Sequence, residues 1–163
     1  MGQACEHDHS TVPGLAGAVL DGELATAERR CASLGERLTT SRRRVLELLL
    51  QAGQPVKAYD LMAAFDPGEG QTKPPTVYRA LEFLERQGLV HRIQTLNAYV
   101  ACRREGGHDA AFLICDCCGA TREIEPAGSS GLASQAGAAG FAISTVTLEA
   151  HGRCADCQAD RAG

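Results

Sequence analysis

This 163-residue chain is predicted to be an α+β protein of two small domains, the first mostly helical with a closing hairpin and the second a compact α/β unit. Three observations predict it. Apolar residues recur at helical spacing in separate runs between Asp21 and Gln87. Two β-prone runs follow, centred on Leu96-Asn97, in the pattern of a hairpin. Beyond Gly107 the composition changes, and short strands bracket two Cys-x-x-Cys pairs, Cys115/Cys118 and Cys154/Cys157.

Four thiols in two such pairs suit a closed tetrahedral zinc site, because each pair can grip the metal from one tight turn. A single Cys-x-x-Cys could equally be a redox dithiol. Two pairs about forty residues apart, the first followed by Gly119, point to structural zinc held by Cys115, Cys118, Cys154 and Cys157. Small domains bury little apolar surface, and a metal is a common remedy. The first residues, Met-Gly-Gln-Ala-Cys-Glu-His-Asp-His, lack the basic and apolar regions of a secretory leader. No stretch approaches the length of a membrane span. With eight cysteines in such a chain, a reducing, cytoplasmic location is expected, with no membrane partner.

The net charge of −4 is unevenly spread. From Glu36 to Arg104, 11 Lys/Arg oppose 7 Asp/Glu, so this segment is +4 and the remainder −8. A basic middle between acidic ends fits a DNA-binding segment, and equally a solvated charged face.

Element by element, residues 1–20 are polar and unpatterned and are expected to be mostly disordered. Cys5, His7 and His9 could bind metal there, against the full ordering entropy of a flexible segment. Asp21 to Leu34 reads as a helix with Asp21 as N-cap and Leu24, Ala27, Cys31 and Leu34 on one face. Cys31 is expected to be a small core residue. A second helix opens at Thr39-Thr40-Ser41 and ends near Ala52-Gly53, with Val45, Leu46, Leu49 and Leu50 inward and Arg42, Arg43 and Arg44 in its first turn. Lys57 to Phe65 is a third helix, and 66–73 a loop. Pro74-Pro75-Thr76 starts a fourth that runs to Gln87 and stops at Gly88.

In the fourth helix Val77, Ala80, Leu81 and Leu84 must face a core, which turns Tyr78, Arg79, Glu82 and Arg86 outward. Recognition helices present their first residues to base edges, and arginine can fork onto guanine. Strands Val90–Thr95 and Ala98–Cys102 then form the hairpin, flanked by Arg92 and Arg103-Arg104. Helices followed by such a hairpin make a winged helix-turn-helix over 21–102. That order turns Tyr78 and Arg79 toward double-stranded DNA, and Thr76, Tyr59, Lys73 and Arg42 are the further expected contacts.

A two-residue turn at Leu96-Asn97 would oppose Ile93 to Val100 and His91 to Cys102. Directly opposed residues share a face with Cβ atoms about 5 Å apart. An imidazole and a thiol so placed are half of a tetrahedral metal site, although each alone is as readily structural. Residues 103–107 read as a hinge, 108–158 as the second domain and 159–163 as a tail. In that domain 109–115, 121–124 and 141–150 read as strands, and 126–140 as a weak, glycine-rich helix. Such a unit would gain from both zinc and dimerisation.

Lys73-Pro-Pro-Thr-Val-Tyr-Arg-Ala-Leu81, Asn97-Ala-Tyr-Val-Ala-Cys102, Phe112-Leu-Ile-Cys-Asp-Cys-Cys-Gly119 and Glu149-Ala-His-Gly-Arg-Cys-Ala-Asp-Cys157 together resemble the ferric uptake regulator family, in its zinc uptake regulator branch. The resemblance spans about residues 21–158. It implies an N-terminal winged helix that binds double-stranded operator DNA, a C-terminal α/β dimerisation domain, and homodimers that repress zinc-acquisition genes when loaded with zinc. It implies two zinc ions per chain: one on the four cysteines named above, the other, regulatory, on His91, Cys102, His108 and Glu123. No catalytic residue and no small-molecule substrate are implied.

The departures from the family pattern matter. Iron-type members carry a His-rich run where this chain has Gly107-His108-Asp109-Ala110, which puts the family's further metal site in doubt. A thiolate among the regulatory ligands favours zinc over a hard ion without excluding other metals. Cys117 has no family role, and His151 is expected to pack or to support a ligand. Two rival readings stay open: a sensor of another metal or of peroxide on the same fold, and a thiol–disulfide oxidoreductase, which would leave the second cysteine pair unexplained.

Overall fold

The computed structural model describes residues 13–65, 74–103, 110–125, 129–143 and 146–159. They form two units, divided between residues 103 and 110. Lys73, His108 and the Cys5/His7/His9 cluster lie outside the described residues.

The first unit holds helices α1 (Gly17–Ser33), α2 (Thr40–Ala52), α3 (Ala58–Phe65) and α4 (Pro74–Arg86) and strands β1 (Val56–Lys57), β2 (Val90–Ile93) and β3 (Ala98–Ala101). Its core is continuous. Leu24 and Cys31 of α1, Val45 and Leu49 of α2, Leu61 of α3, and Val77, Leu81 and Leu84 of α4 are almost wholly excluded from solvent. These are the positions that helical periodicity selects. The sheet order is β1-β3-β2, all antiparallel.

Five expectations for this unit require correction. Helix α1 begins at Gly17, inside the segment expected to be disordered, and Leu20 is buried. Asp21 therefore lies within the helix, and the N-cap is Ala16 with no side-chain cap bond. Leu34 is the C-cap and is 61% exposed, not part of the inward face, because the helix ends one residue before it. Lys57 belongs to the two-residue strand β1, which is too short to show a period and forms because β3 offers an open edge at Ala98 and Tyr99. Phe83, not among the inward residues of α4 at the level of sequence, is 2% exposed.

The fifth correction is the hairpin register. Ile93 pairs with Ala98, Arg92 with Tyr99, His91 with Val100 and Val90 with Ala101. The loop is four residues, Gln94 to Asn97, closed by Asn97 N–H donating to Gln94 O at 3.1 Å. Asn97 takes a φ of 47°, the left-handed region its short amide side chain tolerates. Gly88, at φ 65°, ends α4 and turns the chain into β2, with the Gly88 and Leu89 N–H groups returning to Glu85 O and Leu84 O.

The second unit is a sheet of β4 (Ala110–Cys115), β5 (Thr121–Ile124) and β6 (Thr147–Gly152) in the order β5-β4-β6, with α5 (Ser129–Ala138) between β5 and β6 in the chain and a short α6 (Ala155–Ala159) at the end. β4 is antiparallel to β5 and parallel to β6. The last strand was expected over 141–150. Phe141 N–H instead donates to Ala136 O at 2.8 Å, capping α5, so the strand starts at Thr147 and continues to Gly152. No helix among the described residues is long and apolar enough to cross a membrane.

Candidate metal centre and nucleic-acid interface

The four predicted thiols converge. One sulfur from each of Cys115, Cys118, Cys154 and Cys157 lies within 4.8 Å of the other three. Cys115 closes β4, and Gly119, at φ 75°, lets the chain reverse so that Gly119 N–H reaches Cys115 O at 2.9 Å. Asp116 N–H donates to Gly152 O at 2.8 Å, tying this turn to the end of β6, where the second pair begins. Parallel pairing of Cys115 with Gly152 thus brings pairs about forty residues apart to one point.

The dimensions fit zinc. Tetrahedral coordination with Zn–S bonds near 2.3 Å places sulfurs about 3.8 Å apart. Cys118 Sγ and Cys154 Sγ are 3.7 Å apart. Burial raises the Cys115 thiol, but backbone N–H groups of Cys118, Cys154 and Cys117 outweigh it and bring the pKa to about 6. One of these bonds is Cys154 N–H to Cys115 Sγ at 3.3 Å. Burial pushes the Cys118 and Cys157 thiols up. A cluster that holds one thiolate readily and resists further ionisation is one that a divalent cation, by supplying the compensating charge, converts to four ligands. His151 Nδ1 lies 2.9 Å from Asp116 Oδ1, linking β6 to the first cysteine turn. The position of Asp116 inside the first Cys-x-x-Cys was the available sign of this pair, and sequence reasoning missed it.

On the hairpin, His91 and Cys102 stand diagonally, not directly opposed. Cys102 N–H donates to Leu89 O at 2.9 Å, which continues the register one step beyond β3. A shift of two residues preserves the face a side chain occupies, and diagonal neighbours remain within reach of one another. A ring nitrogen of His91 and the Cys102 sulfur accordingly lie within 4.8 Å. Glu123 lies on β5 of the second unit, paired with Phe112 and half-buried.

At the start of α4, Thr76 is half-buried, while Tyr78 (49% exposed) and Arg79 project outward. Tyr59, in the first turn of α3, is 77% exposed. Arg42 differs from these. Its guanidinium lies 3.4 Å from the centroid of the Phe83 ring, and its Nη1 donates to Arg37 O at 2.6 Å. On the hairpin, Arg92 Nη2 donates to Asn97 Oδ1 at 3.1 Å.

A winged helix with an exposed start to its fourth helix, joined to a unit in which four thiols converge, defines the class: a helix-turn-helix protein whose second domain could hold a metal ion. Comparison with known proteins narrows the class. The family model described as the ferric uptake regulator family matches residues 33–151. The zinc uptake regulation protein of Escherichia coli (strain K12) is 43% identical over 137 residues, which is 82% of this chain and 80% of that protein. A structure of a zinc uptake regulator complexed with zinc and DNA superposes with a TM-score of 0.81 at 40% identity, covering 90% of this chain and all of that one. A holo XcZur crystal structure gives 0.76 at 43% identity, covering 85% and 99%. The chain belongs to the ferric uptake regulator family.

Proposed function

We propose that this protein is a zinc-responsive, DNA-binding transcriptional regulator, a homodimer that represses zinc-acquisition genes when zinc-loaded. It is a regulator, not an enzyme, as its family is one of regulators. The similarity to a regulator complexed with both zinc and DNA supports the partners. The observation that carries the switch is the place of His91 and Cys102: a nitrogen and sulfur donor pair on the hairpin of the same unit that carries α4.

Two zinc ions per chain are proposed. Cys115, Cys118, Cys154 and Cys157 would hold the structural ion. His91 and Cys102 of the first unit, with His108 and Glu123 of the second, would hold the regulatory one. Ligands drawn from both units make binding energy available only in an arrangement that unites them, and zinc favours that arrangement by its differential affinity alone. Each 1.4 kcal/mol of difference is about tenfold in the population able to bind DNA. Thr76, Tyr78 and Arg79, with Tyr59 and Lys73, would then meet the operator. Two-fold symmetry would place paired α4 helices in successive major grooves. Leu113 and Leu148, 43% and 45% exposed, lie on one face of the β5-β4-β6 sheet and support a dimer through this unit. A cytoplasmic location belongs to the same proposal.

Cys102→Ser tests it. Zinc-stimulated DNA binding should be lost, while the fold and one tightly held zinc per chain remain. Zinc stimulation undiminished in this variant would remove Cys102 from the regulatory site.

A further inference from the structure

Arg42, Arg43 and Arg44 form a run of three consecutive cations, and such runs commonly face phosphates. Each is instead engaged inside its own unit, and with a different element. Arg43 Nε meets Glu28 Oε1 of α1 at 2.9 Å. Arg44 pairs with Glu47 at 2.9 Å, and its Nη2 donates to Ala64 O of α3 at 3.4 Å. Arg42 reaches α4: its guanidinium lies at van der Waals distance from the Phe83 ring, the only aromatic side chain of that helix besides Tyr78. Its bond to Arg37 O fixes the other edge of the guanidinium to the α1–α2 connection. Arg86 approaches the same ring at 5.6 Å and lies 3.8 Å from Glu36.

Phe83 sits one helical turn beyond Arg79 on α4. Whatever holds the Phe83 ring against α2 therefore sets the roll and tilt at which Tyr78 and Arg79 emerge. Base-edge contacts demand sub-ångström placement, whereas non-specific attraction to phosphates does not. The planar guanidinium suits this role: it stacks on an aromatic face and donates in its plane at once, which a lysine ammonium cannot do.

We infer that Arg42 is a positioning residue for the recognition helix, holding α4 through Phe83, and that it does not itself contact DNA phosphate. The inference rests on the regulator reading of α4 given above.

The test uses the full-length, zinc-loaded protein and a duplex it enriches from a random pool, with the unselected pool as the non-specific probe. Binding of the wild type, Arg42→Lys, Arg42→Met and Phe83→Leu is measured across a salt series. Lysine keeps the charge and so would preserve a phosphate contact, but it cannot keep the stack. Arg42→Lys and Arg42→Met should each lose on the order of tenfold in affinity for the enriched duplex. Phe83→Leu should lose similarly, and its combination with Arg42→Met should lose little more than either alone. Affinity for the pool and the salt slope should match the wild type. A salt slope reduced by about 0.9 in Arg42→Met but not in Arg42→Lys would make Arg42 a phosphate contact and overturn the inference. So would an enriched duplex bound equally well by wild type and both Arg42 variants. A wild-type protein that enriches no duplex would instead refute the regulator reading itself.

Discussion

The two units of this chain are stabilised by different physics. The winged-helix unit closes on an apolar core in which Val45, Leu49, Val77 and Leu84 are wholly buried. The second unit buries Phe112, Ile114 and its short alanine positions, yet leaves Leu113, Leu132, Phe141 and Leu148 substantially exposed. Its described helices contribute little: α5 is glycine-containing and mostly exposed, and α6 is five residues long. What gathers its ends is the four-thiol cluster, and what would cover its apolar face is a second copy. A small unit that cannot build a sufficient core substitutes coordination and association for burial. On the proposed reading, the unit that carries α4 would be rigid by itself, while the unit that joins copies would depend on metal.

The largest effect should come from breaking the cluster. Cys118→Ser should lower zinc content by one ion per chain and melt the second unit, with the winged-helix unit retaining its own thermal transition. Elemental analysis with calorimetry would check this, and a single unchanged transition would show that the units do not divide the stability as described. Structural zinc in small domains is worth roughly 10–16 kcal/mol, so partial loss of the unit is not expected.

A smaller, opposite effect follows from the core. Leu49→Ala should cost the winged-helix unit about 2–5 kcal/mol through the cavity it leaves. Zinc content at the four cysteines should be unchanged. Denaturant unfolding monitored beside zinc retention would separate the two.

The smallest effect concerns the two kinds of cysteine. Cys31, wholly buried in the first unit, has its thiol raised by desolvation above the ordinary value of 9.0. Its folded pKa exceeds the unfolded one, so the stability linked to its protonated form is present below pH 9 and declines as pH rises further. Cys115 shifts the other way, to about 6, because backbone N–H groups of the folded cysteine turns outweigh its burial. Alkylation of the chelated protein at pH 7, with its second unit opened, should modify Cys115 and spare Cys31, which stays enclosed in the core of the first unit. Equal labelling of both would contradict the distinction.

Much of this architecture was legible in residues alone because its determinants are local. The inward faces of α2 and α4 follow from spacing, Gly88 and Asn97 from turn chemistry, and the four-thiol site from two tight turns that each bring two ligands together. The His91/Cys102 pair was also legible, though for an instructive reason: the expected register was wrong by two residues, and an even shift leaves side chains on the same face. Tyr78 and Arg79 were legible on the outward face of α4, whereas Glu123 and His108 came from family resemblance, since a ligand contributed by a distant segment leaves no periodic trace.

The sequence by itself determined where α2 and α4 stop, which of their faces are apolar, and which four thiols form a set. Only the tertiary structure decided the strand pairing that joins the cysteine pairs, the edge that creates β1, and the destination of the α2 arginines. An arginine run carries the same local signal whether it faces water, phosphate or a neighbouring helix. The partners that settle the matter, Glu28, Ala64 and Phe83, are brought within reach by the packing of α1, α3 and α4 around α2.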